Sequence, residues 1–155
     1  MTDHQHSAAA AYPARPDLWP VHPRGLAQRA AVRREARGLH SAWRLDGWDE
    51  TTPGRAQLHA GIAYGAWGLD PDAAALLGDI AAEMAAAALG TPRLTLLLAL
   101  DGTRTTTSVL LTGAHQAPDP GYLPVVTAHA DHWGRHQLAA GPVAFAALDT
   151  ARRPA

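Results

Sequence analysis

The chain has 155 residues, the size of one domain with additional terminal segments. Apolar residues make up 47% and charged residues 17% of it, which supports a packed core and excludes disorder throughout. A net charge of -1 excludes a molecule-wide field that would attract nucleic acid or an anionic membrane. Because there is no cysteine, disulfides, thiolate metal sites and a thiol nucleophile are excluded, which points to the cytoplasm.

Signals for export or membrane insertion do not stand out in the sequence. The N-terminus has no basic start followed by an apolar stretch, and the most apolar run, "LTLLLAL", is too short to cross a bilayer. All 13 basic residues are arginine and alanine is abundant, a bias typical of GC-rich bacterial genomes.

The first 41 residues are predicted to precede the folded domain. Residues 1–23 mix alanine, proline, histidine and isolated charges without a period, which predicts a mobile tail. Residues 24–41 predict a basic linker helix, with Arg29, Arg33 and Arg37 one turn apart. A basic helix is either a solvated linker or an arm for an acidic partner or a phosphate backbone. The lack of interleaved aromatic residues favours the linker.

A short strand, "SAWRLDG", and then a helix begin the predicted domain at residue 42. Thr52 is placed to cap the helix, Pro53 suits its first turn, and Gly68 ends it. Leu58, Ile62 and Ala66 recur every four residues, so we expect them to form the buried face.

A second helix follows, with Asp70 as its cap, Pro71 at its start and Gly90 at its end. Its "DIAAEMAAAALG" stretch contains one carboxylate in mid-helix, Glu83. The apolar residues form a broad face expected to pack on the core: Leu76, Leu77, Ile80, Met84 and Leu89.

After Gly90 the period changes from helical to alternating. "LTLLLAL" and "RTTTSVLLT" predict two strands, and the "DGT" between them predicts a tight hairpin. A loop, a short helix in "LPVVTAHA", and two closing strands in "DHWGRHQ" and "PVAFAAL" complete the order. The predicted fold class is α+β, a two-layer sandwich with a mixed, mostly antiparallel sheet and helices on one face.

This order and its motifs resemble the ATP-binding domain of the histidine-kinase-like ATPase superfamily, and within it the actinobacterial anti-sigma-factor serine kinases. The resemblance covers residues 42–149, and residues 150–155 form a tail. It is carried by four stretches: "WRLDGWDETTPGRAQLHAGIAYGAWGLDPDAAALLGDIAAEM", "RLTLLLALDGTRTTTSVLLT", "PGYLPVVTAHADHWG" and "GPVAFAAL".

The resemblance implies roles for two residues of the second helix. Glu83 matches a glutamate that orients or activates the attacking group. Ala87 takes the place of an asparagine, one turn later, whose oxygen binds the magnesium ion. A methyl group cannot bind this hard cation. Alanine favours the helix by about 0.6 kcal/mol, while a lost charge-assisted contact costs about 1.5–3 kcal/mol, so the exchange weakens a metal-phosphate site.

The resemblance also implies an adenine-binding aspartate and a phosphate-binding glycine pair. Gly113 stands at the aspartate position, where no side-chain acceptor exists. An alternative register assigns that role to Asp119 in "DPG". Of the glycine pair only Gly121 remains, followed by Tyr122.

The resemblance therefore implies a degenerate member: a non-catalytic regulator, or pseudokinase, acting through protein–protein interaction in bacterial transcription regulation. Expected partners are a sigma factor, an anti-sigma antagonist or a paralogous kinase, with a dimer as one arrangement, and no nucleic acid or membrane. No cofactor is then expected. The alternative is an anti-sigma serine/threonine kinase that binds ATP and magnesium in an altered pocket.

Three histidines have spacings that suit a metal, His129, His132 and His136. Gly134 and the expected change from helix to strand break their common face, so we predict no metal site. His4 and His6 lie in the predicted tail.

Overall fold

A five-stranded sheet and three α-helices make up the part of the chain that the computed structural model describes, residues 38–150. The predicted tails, 1–23 and 151–155, and residues 24–37 of the predicted linker helix lie outside it. The strands are β1 (Gly38–Leu45), β2 (Arg93–Asp101), β3 (Arg104–Thr112), β4 (His132–Leu138) and β5 (Gly141–Asp149). The helices are α1 (Thr52–Ala66), α2 (Pro71–Ala87) and α3 (Pro124–His129), with a 3₁₀ turn at Pro120–Tyr122 before α3.

The strand order is β1-β2-β3-β5-β4. All four pairings within residues 38–150 are antiparallel, so the expected mixed sheet is antiparallel throughout this region. The α+β class is confirmed, and the arrangement is compatible with a two-layer sandwich. No helix in the same region combines the length and the apolar character needed to cross a membrane.

The start of β1 corrects the predicted linker helix. Residues 38–41 lie in the strand, and Leu39 and Ser41 are in register with Leu100 and Leu98 of β2. The helical reading rested on arginine spacing, which is a weak local preference. Pairing with a buried central strand overrides it, because the ladder satisfies the backbone groups of both strands.

The hairpin between β2 and β3 follows the prediction. Asp101 pairs with Arg104, and Gly102 adopts a φ of 60°, in the left-handed region that glycine enters without steric cost. The adjacent β5 and β4 likewise form the predicted closing pair.

The buried face of α1 differs from the prediction. Leu58 and Ile62 are each 61% exposed, and Ala66 is also exposed. The buried positions are Thr52, Ala56, Ala60, Ala63 and Tyr64. Small residues face inward because α1 packs closely on α2: a Cβ added to Gly78 would lie 3.0 Å from the carbonyl oxygen of Gln57.

The cap of α1 is also corrected. Thr51, not Thr52, occupies the N-cap position, and it makes no capping hydrogen bond with its side chain. The Thr52 hydroxyl instead donates to the carbonyl oxygen of Asp46, which ties the helix to the turn after β1.

Helix α2 follows its predicted signals. The carboxylate of Asp70 accepts hydrogen bonds from the amides of Asp72 and Ala73, each at 3.0 Å. Of the expected apolar face, the buried residues are Leu77, Ile80 and Met84. Leu76 is partly buried against the core, and Leu89 remains 40% exposed.

Both faces of the sheet are apolar. The face under α1 and α2 includes Leu94, Leu96 and Leu98 of β2. The opposite face carries a second buried cluster: Leu97, Ala99, Leu110, Val143 and Phe145. This explains why "LTLLLAL" is apolar at nearly every position, since strands buried on both faces lose the polar alternation.

Tyr64 anchors α1 to the sheet. Its side chain is fully buried, and its hydroxyl lies 2.9 Å from the carbonyl oxygen of Thr106 and 3.0 Å from the hydroxyl of Thr107. Burial raises the pKa of Tyr64 well above its ordinary value, because the phenolate would lose its hydration. The hydroxyl therefore stays protonated and donates to the Thr106 carbonyl.

Replacing Tyr64 with phenylalanine should lower the free energy of unfolding by about 1–2 kcal/mol at neutral pH, because buried acceptors lose their donor. The raised pKa adds a pH effect. The stabilisation of the fold by the neutral Tyr64 side chain is intact below about pH 10. It is lost as the pH rises above that value, since only the unfolded tyrosine ionises there. Urea denaturation between neutral and alkaline pH should show the wild-type advantage shrinking.

Tyr122→Phe is the matched control, because Tyr122 is 83% exposed, and its stability should match that of the wild type. Parallel pH curves for wild type and Tyr64→Phe would contradict the assignment.

Candidate functional site

The carboxylate of Glu83 binds the start of α3. Its Oε1 accepts a hydrogen bond from the amide of Val125 at 3.0 Å, and its Oε2 accepts one from the amide of Val126 at 2.9 Å. These amides belong to the first turn of α3, where backbone donors have no partner within the helix. Both oxygens of Glu83 are thus engaged by backbone groups 42 and 43 residues further along the chain.

The local sequence of α3 explains why it needs this contact. Leu123 stands at the N-cap position and makes no side-chain capping bond. A carboxylate supplied by α2 replaces the missing cap, and its negative charge also favours the positive end of the helix. The presence of Glu83 in "DIAAEMAAAALG" therefore has a structural explanation.

Ala87 lies one turn beyond Glu83 on α2, and its methyl group is exposed. A methyl group offers no lone pair to a cation. At the expected magnesium position, therefore, α2 presents no ligand.

Gly113 follows the end of β3 in an exposed turn with a φ of 85°. This left-handed conformation suits glycine and strains most other residues. Gly113 has no side chain that accepts a hydrogen bond, so its position offers nothing to a base amino group.

Asp119, the alternative candidate, is bound within its own loop. Its Oδ1 accepts the amide of Gly121 at 2.9 Å, and its Oδ2 lies 3.9 Å from Nη2 of Arg135. Arg135 also donates through Nη1 to the carbonyl oxygen of Ala117 at 3.2 Å. These contacts fasten the loop before α3 onto β4.

Gly121 lies close to the side chains of Asp119 and Trp133. A Cβ at this position would lie 3.2 Å from Oδ1 of Asp119 and 3.6 Å from the indole nitrogen of Trp133. Its amide already donates to Asp119. The neighbouring Tyr122 side chain projects into solvent with 83% of its surface exposed.

The candidate residues Glu83, Asp119 and Gly121 therefore all serve the chain between residues 117 and 126. Their polar atoms bond to the protein itself: Glu83 to the start of α3, and Asp119 to Gly121 and Arg135. These contacts hold the short helix α3 and the loop before it in place.

The three histidines do not form a metal centre in the described part of the chain, where no group of three His, Cys, Asp or Glu side chains could hold a metal ion. His129 ends α3, while His132 and His136 lie on β4. The His136 ring packs edge-on to Phe145 with centroids 5.9 Å apart, and burial lowers the pKa of His136. His4 and His6 lie outside the described residues.

Two features were missed at the sequence level. The first is the pairing of Arg135, which no local sequence pattern predicts, because its partners lie 16 and 18 residues upstream in an irregular loop. The second is a stack between Trp43 of β1 and His59 of α1, with ring centroids 4.1 Å apart and planes 10° from parallel. Only the adjacency of β1 and α1 in the fold brings these rings together.

No protein-family model matches this chain, and no curated protein is significantly similar to it.

Glu83→Ala should lower the free energy of unfolding by about 1–3 kcal/mol, because two amides of α3 lose a charged acceptor. Glu83→Gln, which keeps one acceptor oxygen, should lie between the alanine variant and the wild type. Urea denaturation measures both, and amide hydrogen exchange should show faster exchange at Val125 and Val126 in each variant.

Glu50→Ala is the matched control, because Glu50 is exposed and its substitution removes the same charge at a different place. Equal destabilisation in the Glu50 and Glu83 variants would show that Glu83 does not hold α3.

Proposed function

We propose that this protein is a non-catalytic regulator with a degenerate histidine-kinase-like ATP-binding fold, which acts through protein–protein interaction in bacterial transcription regulation, like an anti-sigma factor. The observation that carries the proposal is the engagement of both Glu83 oxygens by the α3 amides. A glutamate held in this way is not available to activate an attacking hydroxyl.

The same contact disfavours a phosphate at this place. First-turn amides are donors that bind anions, but here a carboxylate already accepts from two of them. A phosphate group would have to displace that carboxylate and would meet its negative charge. Ala87 supplies no oxygen for a cation that would screen the repulsion.

Two further lines support the proposal. The element order agrees with the order that the resemblance implies: a strand, two helices, a hairpin, a short helix and a closing strand pair. The family's adenine position, if it is Gly113, lacks an acceptor, and Asp119 is engaged with Gly121 and Arg135.

A surface suited to a protein partner lies beside β1. We name it the α1–β1 surface: Trp43, Leu58 and Ile62. Leu58 and Ile62 project from one side of α1 with 61% of their surface exposed, and Trp43, which is 37% exposed, stacks on His59 of the same helix. Large apolar side chains grouped on a surface are typical of interaction sites. β1 is also an edge strand of the described sheet.

The partner in this proposal is a sigma factor, an anti-sigma antagonist or a paralogous kinase, and a dimer with a relative is included. The competing function is an ATP-dependent anti-sigma serine/threonine kinase with an altered pocket, which would bind ATP and magnesium. Nucleotide binding separates the two functions.

Thermal unfolding of the full chain with ATP and magnesium tests the absence of nucleotide binding. A ligand at a hundred times its dissociation constant adds about 2.7 kcal/mol to stability, which raises the melting temperature by several degrees. We expect no rise. A concentration-dependent rise that needs magnesium would establish the kinase alternative and refute the proposal.

Affinity purification from the source organism tests the partner surface. The wild type should retain a sigma factor, an antagonist or a related kinase, and the Leu58→Glu/Ile62→Glu variant should lose it, because charges replace apolar contacts. Tyr122→Glu, which alters an exposed aromatic residue outside the surface, should retain it. Retention by the double variant, or co-purification of none of these classes, would count against the proposal.

A further inference from the structure

A pocket opens at the end of the sheet where β1 ends and β2 begins. We name it the sheet-end pocket. It has a volume of about 500 Å³, and its walls include Arg44, Leu45, Arg93, Leu94, Thr95 and Thr112. A volume of this size suits a small organic ligand.

The strand register places its polar residues on one side. Arg44 is opposite Thr95, and Arg93 is opposite Thr112. Arg93 and Thr95 are two residues apart on β2, so their side chains share a face. Arg44 and Arg93 are then diagonal neighbours on adjacent strands, and such positions lie about 7–8 Å apart. Two guanidinium groups on side chains of this length can reach the same ligand.

Neither arginine has an ion-pair partner within the described part of the chain. The ion pairs there join Arg55 to Asp49 and Arg135 to Asp119, and neither involves Arg44 or Arg93. The carboxylate next along the chain, Asp46, accepts the amide of Trp48. Two like charges side by side repel each other, so a bound anion would stabilise the pair.

Arg104 shows the contrast. It lies at the other end of the sheet, directly opposite Asp101 in β2 and Asp149 in β5. The residues in register with Arg104 are carboxylates, whereas Thr95 and Thr112 are in register with Arg44 and Arg93.

We infer that the sheet-end pocket binds a small phosphomonoester, with Arg44 and Arg93 as the ligands of its phosphate group. A phosphomonoester dianion matches the two positive charges, and guanidinium forks donate paired hydrogen bonds to phosphate oxygens. The hydroxyls of Thr95 and Thr112 add neutral donors. Pro92 and Ala140 also line the pocket, and their exposed apolar surface suits the organic body of the ligand.

This inference does not depend on the proposed function. The sheet-end pocket involves none of the residues around Glu83 and α3. Failure to bind a phosphomonoester would refute only this inference, and nucleotide binding at α3 would refute only the proposed function.

The test is an amide nitrogen–proton NMR titration of the full chain at constant ionic strength, with phenyl phosphate and inorganic phosphate as probes. Phenyl phosphate should give saturating shifts at Thr95 and Thr112 with a Kd of about 1 mM or tighter. Inorganic phosphate should bind roughly tenfold more weakly, because it has no apolar body.

Arg44→Gln and Arg93→Gln should each weaken phenyl phosphate binding roughly tenfold or more, through loss of a charge-assisted contact. Arg104→Gln is the matched control and should bind like the wild type. All three side chains are at least partly exposed, so the variants should keep the wild-type circular dichroism spectrum.

Three results would overturn the inference. They are unsaturable shifts at Thr95 and Thr112, equal affinity for both probes, and equal weakening by the Arg104 variant and the pocket variants. The last would show a general charge effect.

Discussion

The contact between Glu83 and the start of α3 is the constraint on which the rest of the site depends. α3 has six residues and no capping side chain of its own, so an isolated helix of this sequence would not be stable in water. The carboxylate from α2 supplies the cap and fixes the helix against the core, where Val126 is fully buried. The loop before α3 is fastened separately, through Asp119 and Arg135. What looks like a residual catalytic glutamate in the sequence is thus part of the packing of the fold.

This structural use of polar groups connects the fold to the proposed function. A site for a metal and a phosphate needs oxygen ligands and free amides facing an open space. Here the carboxylate and the amides satisfy each other, and the neighbouring position on α2 is a methyl group. The α1–β1 surface is apolar instead, with Leu58 and Ile62 exposed on α1 and Trp43 stacked on His59 of the same helix. A regulator that binds another protein needs such a surface and has no need of a catalytic carboxylate.

The sequence predicted the parts of the fold that rest on local chemistry. The Asp70 cap before Pro71, the Asp-Gly turn at residues 101–102, and the facing of successive β2 side chains to opposite sides of the sheet all follow from neighbours a few residues away, and each was confirmed. The prediction of the buried face of α1 was wrong, because the close approach of α1 to α2 favours alanines over leucine and isoleucine at the contact. The prediction of a helix at residues 38–41 was wrong, because these residues pair with β2, which lies far along the chain. Glu83 was recognised as unusual, but its partners lie 42 and 43 residues away, beyond the reach of any local pattern. The sheet-end pocket likewise depends on register, which brings Arg44 beside Arg93.

The most direct test of the central claim is an NMR measurement of scalar couplings transmitted through hydrogen bonds, from the amide nitrogens of Val125 and Val126 to the side-chain carboxyl carbon of Glu83. If Glu83 holds both amides, both nitrogens should couple to this one carbon, as backbone amides couple to the carbonyl carbons that accept their hydrogen bonds. Absence of both couplings, in spectra that show the couplings across the β2–β3 ladder, would contradict the account.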